Sequence, residues 1–183
     1  MSNCALLLID FQNVFNDPKL SWYCPKFNDA LKVALLCHQK LQCQTYITGF
    51  LPPNTKIPIW NDYFNCFPDI STDSNNVIYD LNFPADSYGK IVWSPTFGKW
   101  DTIRKHIFNE PGDSIDTVYI CGVATDCCVL ATALAAVDDG MNVYIISDGC
   151  ASGNDTQHLK GLDIMQGFSP NIKIVNSCEL CDR

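Results

Sequence analysis

Positive charge is scarce in this chain. Of 183 residues, 12 are Lys or Arg against 20 Asp or Glu, a formal net charge of −8. Phosphate backbones and anionic membrane surfaces are bound through concentrated positive charge, and no Lys/Arg cluster exists here, so neither nucleic acid nor membrane is an expected partner. Long apolar runs are also missing, with no stretch near the ~20 residues that span a bilayer. A strand-like segment from Cys4 to Ile9 begins almost at the first methionine, which leaves no room for a signal peptide and makes the cytoplasm the expected compartment. Repeats, low-complexity tracts and linkers are absent as well, so residues 1–183 read as one domain.

Cysteine, by contrast, is plentiful. Its count of 11 is odd and the residues are scattered, which speaks against a disulfide scaffold and for mostly reduced thiols. Cys178 and Cys181 have the spacing of half a zinc site, but no second pair or nearby His completes four ligands, and they read as free thiols.

The hydrophobic pattern alternates between short β-rich runs and helix-length stretches. Strands are expected at Ala5–Ile9, Thr45–Thr48, Val77–Tyr79, Thr117–Cys121, Val143–Ser147 and Lys173–Val175, most of them apolar on both faces. Helices fit at Lys26–Leu41, Trp100–Phe108, Asp126–Asp139 and Asp155–Gln166, with Gly140 and Gly167 where helices would end. Strands apolar on both faces need cover on both sides, so the expected fold is α/β: a three-layer, doubly wound, mostly parallel six-stranded sheet. The segment from Phe50 to Asn76, rich in Pro, Asn, Asp and aromatics, breaks this rhythm and reads as a long loop walling a pocket.

In open α/β sheets ligands bind beyond the carboxyl ends of the strands. Asp10 follows the apolar Leu6-Leu7-Leu8-Ile9 strand, and a partly desolvated carboxylate there suits a general base; it also reads as a simple turn cap. The stretch Gly122-Val123-Ala124-Thr125-Asp126-Cys127-Cys128-Val129 reads as strand end, tight turn and helix start. A thiol in the positive field of a helix amino end is pushed toward thiolate, and free N–H groups in such a turn hold an oxyanion. Both cysteines equally suit core packing. Lys90, before the β-like Ile91-Val92-Trp93 run, either tunes that thiol or is a solvated surface lysine.

Taken together these segments resemble the isochorismatase-like cysteine hydrolases, a superfamily that includes nicotinamidases, N-carbamoylsarcosine amidase and ureidoacrylate amidohydrolases. The opening Ala5-Leu6-Leu7-Leu8-Ile9-Asp10-Phe11-Gln12-Asn13-Val14-Phe15 resembles the family's first strand with its catalytic Asp. Gly89-Lys90-Ile91-Val92-Trp93-Ser94-Pro95-Thr96-Phe97 resembles the segment of the catalytic Lys. The Gly122–Val129 run matches the family's Gly-Val-Ala-Thr-Asp-x-Cys-Val, which puts Cys127 on the variable position and Cys128 on the nucleophile. The resemblance implies an Asp10, Lys90 and Cys128 triad, a cis peptide between Val123 and Ala124 that turns the Ala124 N–H toward an oxyanion, and a small-molecule amide or ureido substrate cleaved through a thioester. It further implies that Gln12, Phe15 and Trp93 bind substrate and that the protein forms a homo-oligomer; Tyr63 or Phe64 of the long loop either closes over the substrate or packs in the core. Asp148 and His158 match family positions read as structural.

The chain also departs from its relatives. Familiar nicotinamidases hold a metal through an Asp-x-His and further histidines after the second strand, where this chain has Thr48-Gly49-Phe50-Leu51-Pro52-Pro53. With only His38, His106 and His158 available, no His-rich zinc or iron site is assembled there, so no metal or other cofactor is expected and nicotinamide is disfavoured. The loop better resembles the metal-free branch, but Gly49 replaces an Arg, which argues against an acidic substrate. Two other readings compete with the amidase: an isochorismatase-type ether hydrolase, which would not need Cys128, and a quiet binding or scaffold member of the family.

Overall fold

The computed structural model describes residues 3–53, 58–108 and 115–182. Six strands, β1 (Cys4–Ile9), β2 (Gln44–Phe50), β3 (Lys90–Ser94), β4 (Thr117–Val123), β5 (Asn142–Ala151) and β6 (Ile172–Val175), form one sheet in the order β3-β2-β1-β4-β5-β6. Every adjacent pair is parallel. Five helices connect or flank them: α1 (Phe27–Leu41), α2 (Pro58–Asn65), α3 (Trp100–Ile107), α4 (Leu130–Asp138) and α5 (Asp155–Gln166).

The period-2 geometry of a strand explains the two cores. Leu6 and Leu8 of β1 face one side, where Phe27, Ala30, Ala34 and Cys37 of α1 cover them. Ala5, Leu7 and Ile9 face the other, against Ile103 and Ile107 of α3, Ala133 and Ala136 of α4 and Met165 of α5. The expected three-layer sheet with helices on both faces is the fold observed. Among the described residues no helix is long and apolar enough to cross a membrane.

Three local expectations are corrected. Val77–Tyr79 is a 3₁₀ turn rather than a strand, because the Asn76 side chain accepts the Ile78 N–H at 3.1 Å and turns the chain there; three apolar residues cannot distinguish the two structures. The sixth strand is instead β3, around Ile91-Val92-Trp93. The long loop also contains a helix, α2, whose Phe64 is buried; positions 54–57 of that loop lie outside the described residues.

The third correction is narrow: the described thiols are mostly free, as expected, but one pair is not. Cys4 and Cys43 are joined in a disulfide. Parallel pairing of β1 with β2 sets Ala5 opposite Gln44, so the residues one step earlier on each strand fall side by side with Cα atoms 5.4 Å apart. A count of cysteines carries no register, and only the register brings these two together. Free thiols remain at eight described positions, among them Cys127, Cys128 and the exposed Cys178; the side chain of Cys181 lies outside the described residues.

Candidate active site

The strand order reverses at β1, whose neighbours are β2 and β4, and the candidate site lies beyond the carboxyl ends of those strands. Gly122 sits there with φ +152° against Ile9, where an added Cβ would strike the Ile9 backbone. Without a side chain at 122, β4 closes on the end of β1 and carries its following turn next to Asp10.

Asp10 has no solvent exposure and adopts a left-handed φ of 53°, a conformation Asp tolerates better than most residues. Its N–H donates to the Thr48 carbonyl at 3.1 Å, and the Thr48 hydroxyl donates to Asp10 Oδ1 at 2.8 Å. The other carboxylate oxygen, Oδ2, is 3.1 Å from the ammonium of Lys99, and both side chains are fully buried. Oδ2 has no well-aligned hydrogen bond in addition, although it is ion-paired. Lys99 Nζ also donates to the Thr96 carbonyl at 2.5 Å and lies 5.1 Å from the centre of the Phe50 ring.

Lys99, not Lys90, therefore stands beside Asp10. Lys90 opens β3, pairs with Tyr46 and is exposed. Because β3 is parallel to β2, its first residue lies two positions back from the Thr48–Val92 pair, ~7 Å toward the amino ends of the strands. Lys99 instead immediately precedes α3, in helical phase with the buried Ile103 and close to that of Ile107. A lysine in the apolar stripe of a short helix is the sequence signal that could have found it.

The turn after β4 is wider than an α-helix. Thr125–Val129 is π-helical, with the Val129 N–H reaching back to the Ala124 carbonyl at 3.2 Å, and α4 follows directly. The Val123–Ala124 peptide is cis. Thr125 is buried and hydrogen-bonded to His158 Nδ1 at 2.8 Å, while the Ser152 hydroxyl donates to Asp126 at 2.7 Å. These bonds anchor the turn to α5 and to the end of β5. Asp148 accepts from both the N–H and the hydroxyl of Ser177, fixing the chain after β6.

Cys128 is buried and Cys127 half-buried, and both line one cleft with Ala124. Field and burial act against the expected lowering at Cys128. Its hydrogen bond with Cys127, then burial, then the Asp10 carboxylate push the Cys128 thiol well above the ordinary value, while Lys99 pulls it down. The Cys127 thiol is held below the ordinary value, first by the same hydrogen bond. The hydrogen bond between the two sulfurs, with burial, therefore favours the neutral form at Cys128.

The cleft encloses about 210 Å³ and is walled by aromatic rings. Phe15 stacks on Trp22 with centroids 5.7 Å apart, and Trp22 meets Phe50, Tyr63 and Phe67 at 5.6, 6.1 and 6.2 Å. Phe97 closes the far side against Tyr63 at 5.5 Å. The single charged residue among the lining residues is Asp126. Burial, then the two thiols, raise the Tyr63 phenol, leaving it a hydrogen-bond donor.

Two expected substrate contacts are placed elsewhere. The Gln12 carboxamide is fully buried and saturated by backbone: it accepts the Phe50 N–H at 2.8 Å and donates to the carbonyls of Phe50 and Tyr79 at 2.9 and 2.6 Å. It clamps the loop that carries Phe50. Trp93 is 43% exposed on the edge strand, outside the cleft. Its ring lies on Gly49, where a Cβ would overlap it, so the missing side chain at 49 has a packing reason. Trp22 and Phe97, which the sequence reading passed over, take the lining role beside Phe15.

The Isochorismatase domain model matches residues 4–174. A nicotinamidase of Acinetobacter baylyi is 58% identical over 36 residues, a match covering 20% of this chain and 17% of that protein. The isochorismatase domain-containing protein 2 of Bos taurus is 39% identical over 46 residues, or 25% of this chain and 22% of that protein. The matched parts thus span well under half of the curated relatives. Among solved structures, a pyrazinamidase of Pyrococcus horikoshii in complex with zinc superposes with a TM-score of 0.75 at 23% identity, covering 96% of this chain and 99% of that one. Among the described residues here, no group of three or more His, Cys, Asp or Glu side chains is placed to hold a metal ion, so this donor set does not fit a zinc centre. An isochorismatase-like hydrolase from Alkaliphilus metalliredigens gives a TM-score of 0.73 at 20% identity, with 98% of each chain covered. A family match over nearly the whole chain, together with a shared fold, establishes that this protein belongs to the isochorismatase domain family.

Proposed function

We propose that the protein is a cysteine-dependent, metal-independent hydrolase of a small, uncharged aromatic amide or ureido compound. The observation that carries this reading is the fully buried Asp10–Lys99 pair acting electrostatically on Cys128, whose sulfur opens to an aromatic cleft.

A resting thiol is a weak nucleophile and needs a base at the moment of attack. Asp10, already coupled to that thiol, takes its proton as the sulfur adds to the substrate carbonyl. Lys99 and the N–H groups of Ala124 and Cys128 offset the charge that develops, in a site with little water to do so. Collapse of the adduct expels ammonia or an amine, which takes the proton from Asp10. Water, deprotonated by Asp10, then cleaves the thioester to free acid and thiol. The aromatic wall favours a flat apolar body. The charge on Asp126, the single charged residue among those described as lining the cleft, disfavours carboxylates.

Ammonia release from benzamide, phenylurea and the carboxylate-bearing succinamate tests this. Hydrolysis of the neutral aromatic compounds, lost in Cys128→Ala, is the expected result. Turnover of succinamate alone would sink the substrate class, and full turnover by Cys128→Ala would sink the mechanism.

A further inference from the structure

The buried Thr132 of α4 takes no part in the chemistry just described, yet it touches the main chain of both Lys99 and Cys128. Its hydroxyl accepts the Lys99 N–H at 3.0 Å and donates to the Cys128 carbonyl at 2.6 Å. Thr132 has no solvent exposure. A hydroxyl has one proton to give and lone pairs to receive, and here both capacities are used between two residues 29 positions apart in sequence.

We propose that Thr132 is the positioning residue that sets the distance between the Lys99 ammonium and the Cys128 sulfur, an inference that rests on the hydrolase reading above. Lys99 needs such a fixture because it does not belong to the sheet. Asp10 is held at the end of β1 and Cys128 at the turn after β4, and these two strands pair along their whole length. Lys99 sits at the start of an eight-residue helix, α3, that packs on α4 through the approach of Gly98 to Ala131. The Thr132 hydroxyl is the polar link at the Lys99 end of that seam, whose other end is held by Trp100 and Arg104 on Asp139. The same hydroxyl occupies the Cys128 carbonyl where the helix passes from π to α winding, so it orients the residue that carries the sulfur. Loss of the hydroxyl lets the Lys99 main chain shift against that of Cys128, and displacements of ~1 Å in a reacting constellation cost up to about a hundredfold in rate.

The test is burst acylation of Cys128 by p-nitrophenyl acetate, read as p-nitrophenolate release and located by peptide mass. The sulfur adds to the ester carbonyl, p-nitrophenolate leaves, and the thiol proton passes to Asp10. Thr132→Val keeps the shape and removes both hydrogen bonds; Thr132→Ser keeps the hydroxyl. The expected result is a maximal acylation rate at least about tenfold lower in Thr132→Val, with unchanged half-saturating ester concentration, and within about threefold of the original in Thr132→Ser. Equal rates in Thr132→Val and the unaltered protein would overturn the inference, as would an equal loss in Thr132→Ser. Should Thr132→Val not fold, Thr132→Ala removes the same two bonds and is judged by the same criteria. A failure of the unaltered protein to acylate at Cys128 overturns the hydrolase reading itself, and the inference with it.

Discussion

The ammonium of Lys99 and the carboxylate of Asp10 meet 3.1 Å apart in a place neither shares with solvent. Two charges withdrawn from water are tolerated because each neutralises the other and each keeps a further partner, Thr48 for the acid and the Thr96 carbonyl for the base. Removing one leaves the other buried and uncompensated.

Lys99→Met should therefore lower stability by about 3 kcal/mol and cut hydrolysis by at least about a hundredfold. Lys90→Ala, at an exposed strand start, should change stability by less than about 0.5 kcal/mol and leave turnover intact. Chemical denaturation and ammonia release measure both. Loss of activity in Lys90→Ala with retention in Lys99→Met would return the role to the strand lysine.

The two adjacent thiols should separate in alkylation. Cys127 is held low and half open to the cleft, whereas Cys128 is held high and buried. Thiolate is the reactive form, so iodoacetamide should modify Cys127 first at neutral pH. Cys128 should follow only as pH rises past the ordinary thiol range. Cys127→Ala should still hydrolyse amides, and Cys128→Ala should not. Peptide mapping that finds Cys128 modified first at pH 7 would contradict this order.

His158 gives the protein an acid-sensitive joint. Burial first, then the Lys26 ammonium, hold its imidazole below the ordinary value, although Asp155 and Asp126 pull the other way. The folded state then binds fewer protons than the unfolded state between that lowered value and about 6.5. Stability from the neutral ring is complete above about 6.5 and is lost as pH falls below it. The midpoint of urea denaturation should fall more steeply from pH 7.5 to 5.5 in the unaltered protein than in His158→Gln, and the difference removes the contribution of the half-buried His106. Identical slopes would mean that the Thr125–His158 bond does not depend on the neutral ring.

The Cys4–Cys43 disulfide closes a segment of sequence separation 39, and closing a loop of that size contributes ~2–4 kcal/mol through the unfolded chain. Unreduced protein should be lighter by two hydrogens than the reduced form. Replacing both residues by Ser should lower thermal stability while sparing hydrolysis, because the link lies at the amino ends of the strands, opposite the cleft. A mass showing all thiols free under oxidising conditions would refute the pairing.

Much of this architecture was legible in the sequence, and the failures share a cause. The alternation of β1, with Leu6 and Leu8 to one core and Leu7 and Ile9 to the other, is a local pattern and was readable. So was the helix entry at Cys128. Lys99 was not, because the resemblance points to a lysine on the strand, and only the docking of α3 on α4 brings the Lys99 ammonium to Asp10. Gln12 and Trp93 were misplaced for a related reason: whether a side chain near a site faces the cleft, the backbone or solvent depends on the packing of distant segments, here the Phe50 and Tyr79 backbone for Gln12 and Gly49 for Trp93. The Cys4–Cys43 pair likewise needed the parallel register.

The pairing of β1 with β4 has a last consequence. Asp10 and Lys99 lie in the first 108 residues and Cys128 in the part from 115 onward, and the register from Cys4–Thr117 to Ile9–Gly122 is what joins them. Neither portion alone holds Cys128 together with Asp10. Cleaved into two pieces between the strands of that pair, the molecule would be silent until the pieces found each other, and the appearance of acylated Cys128 would time their reassembly.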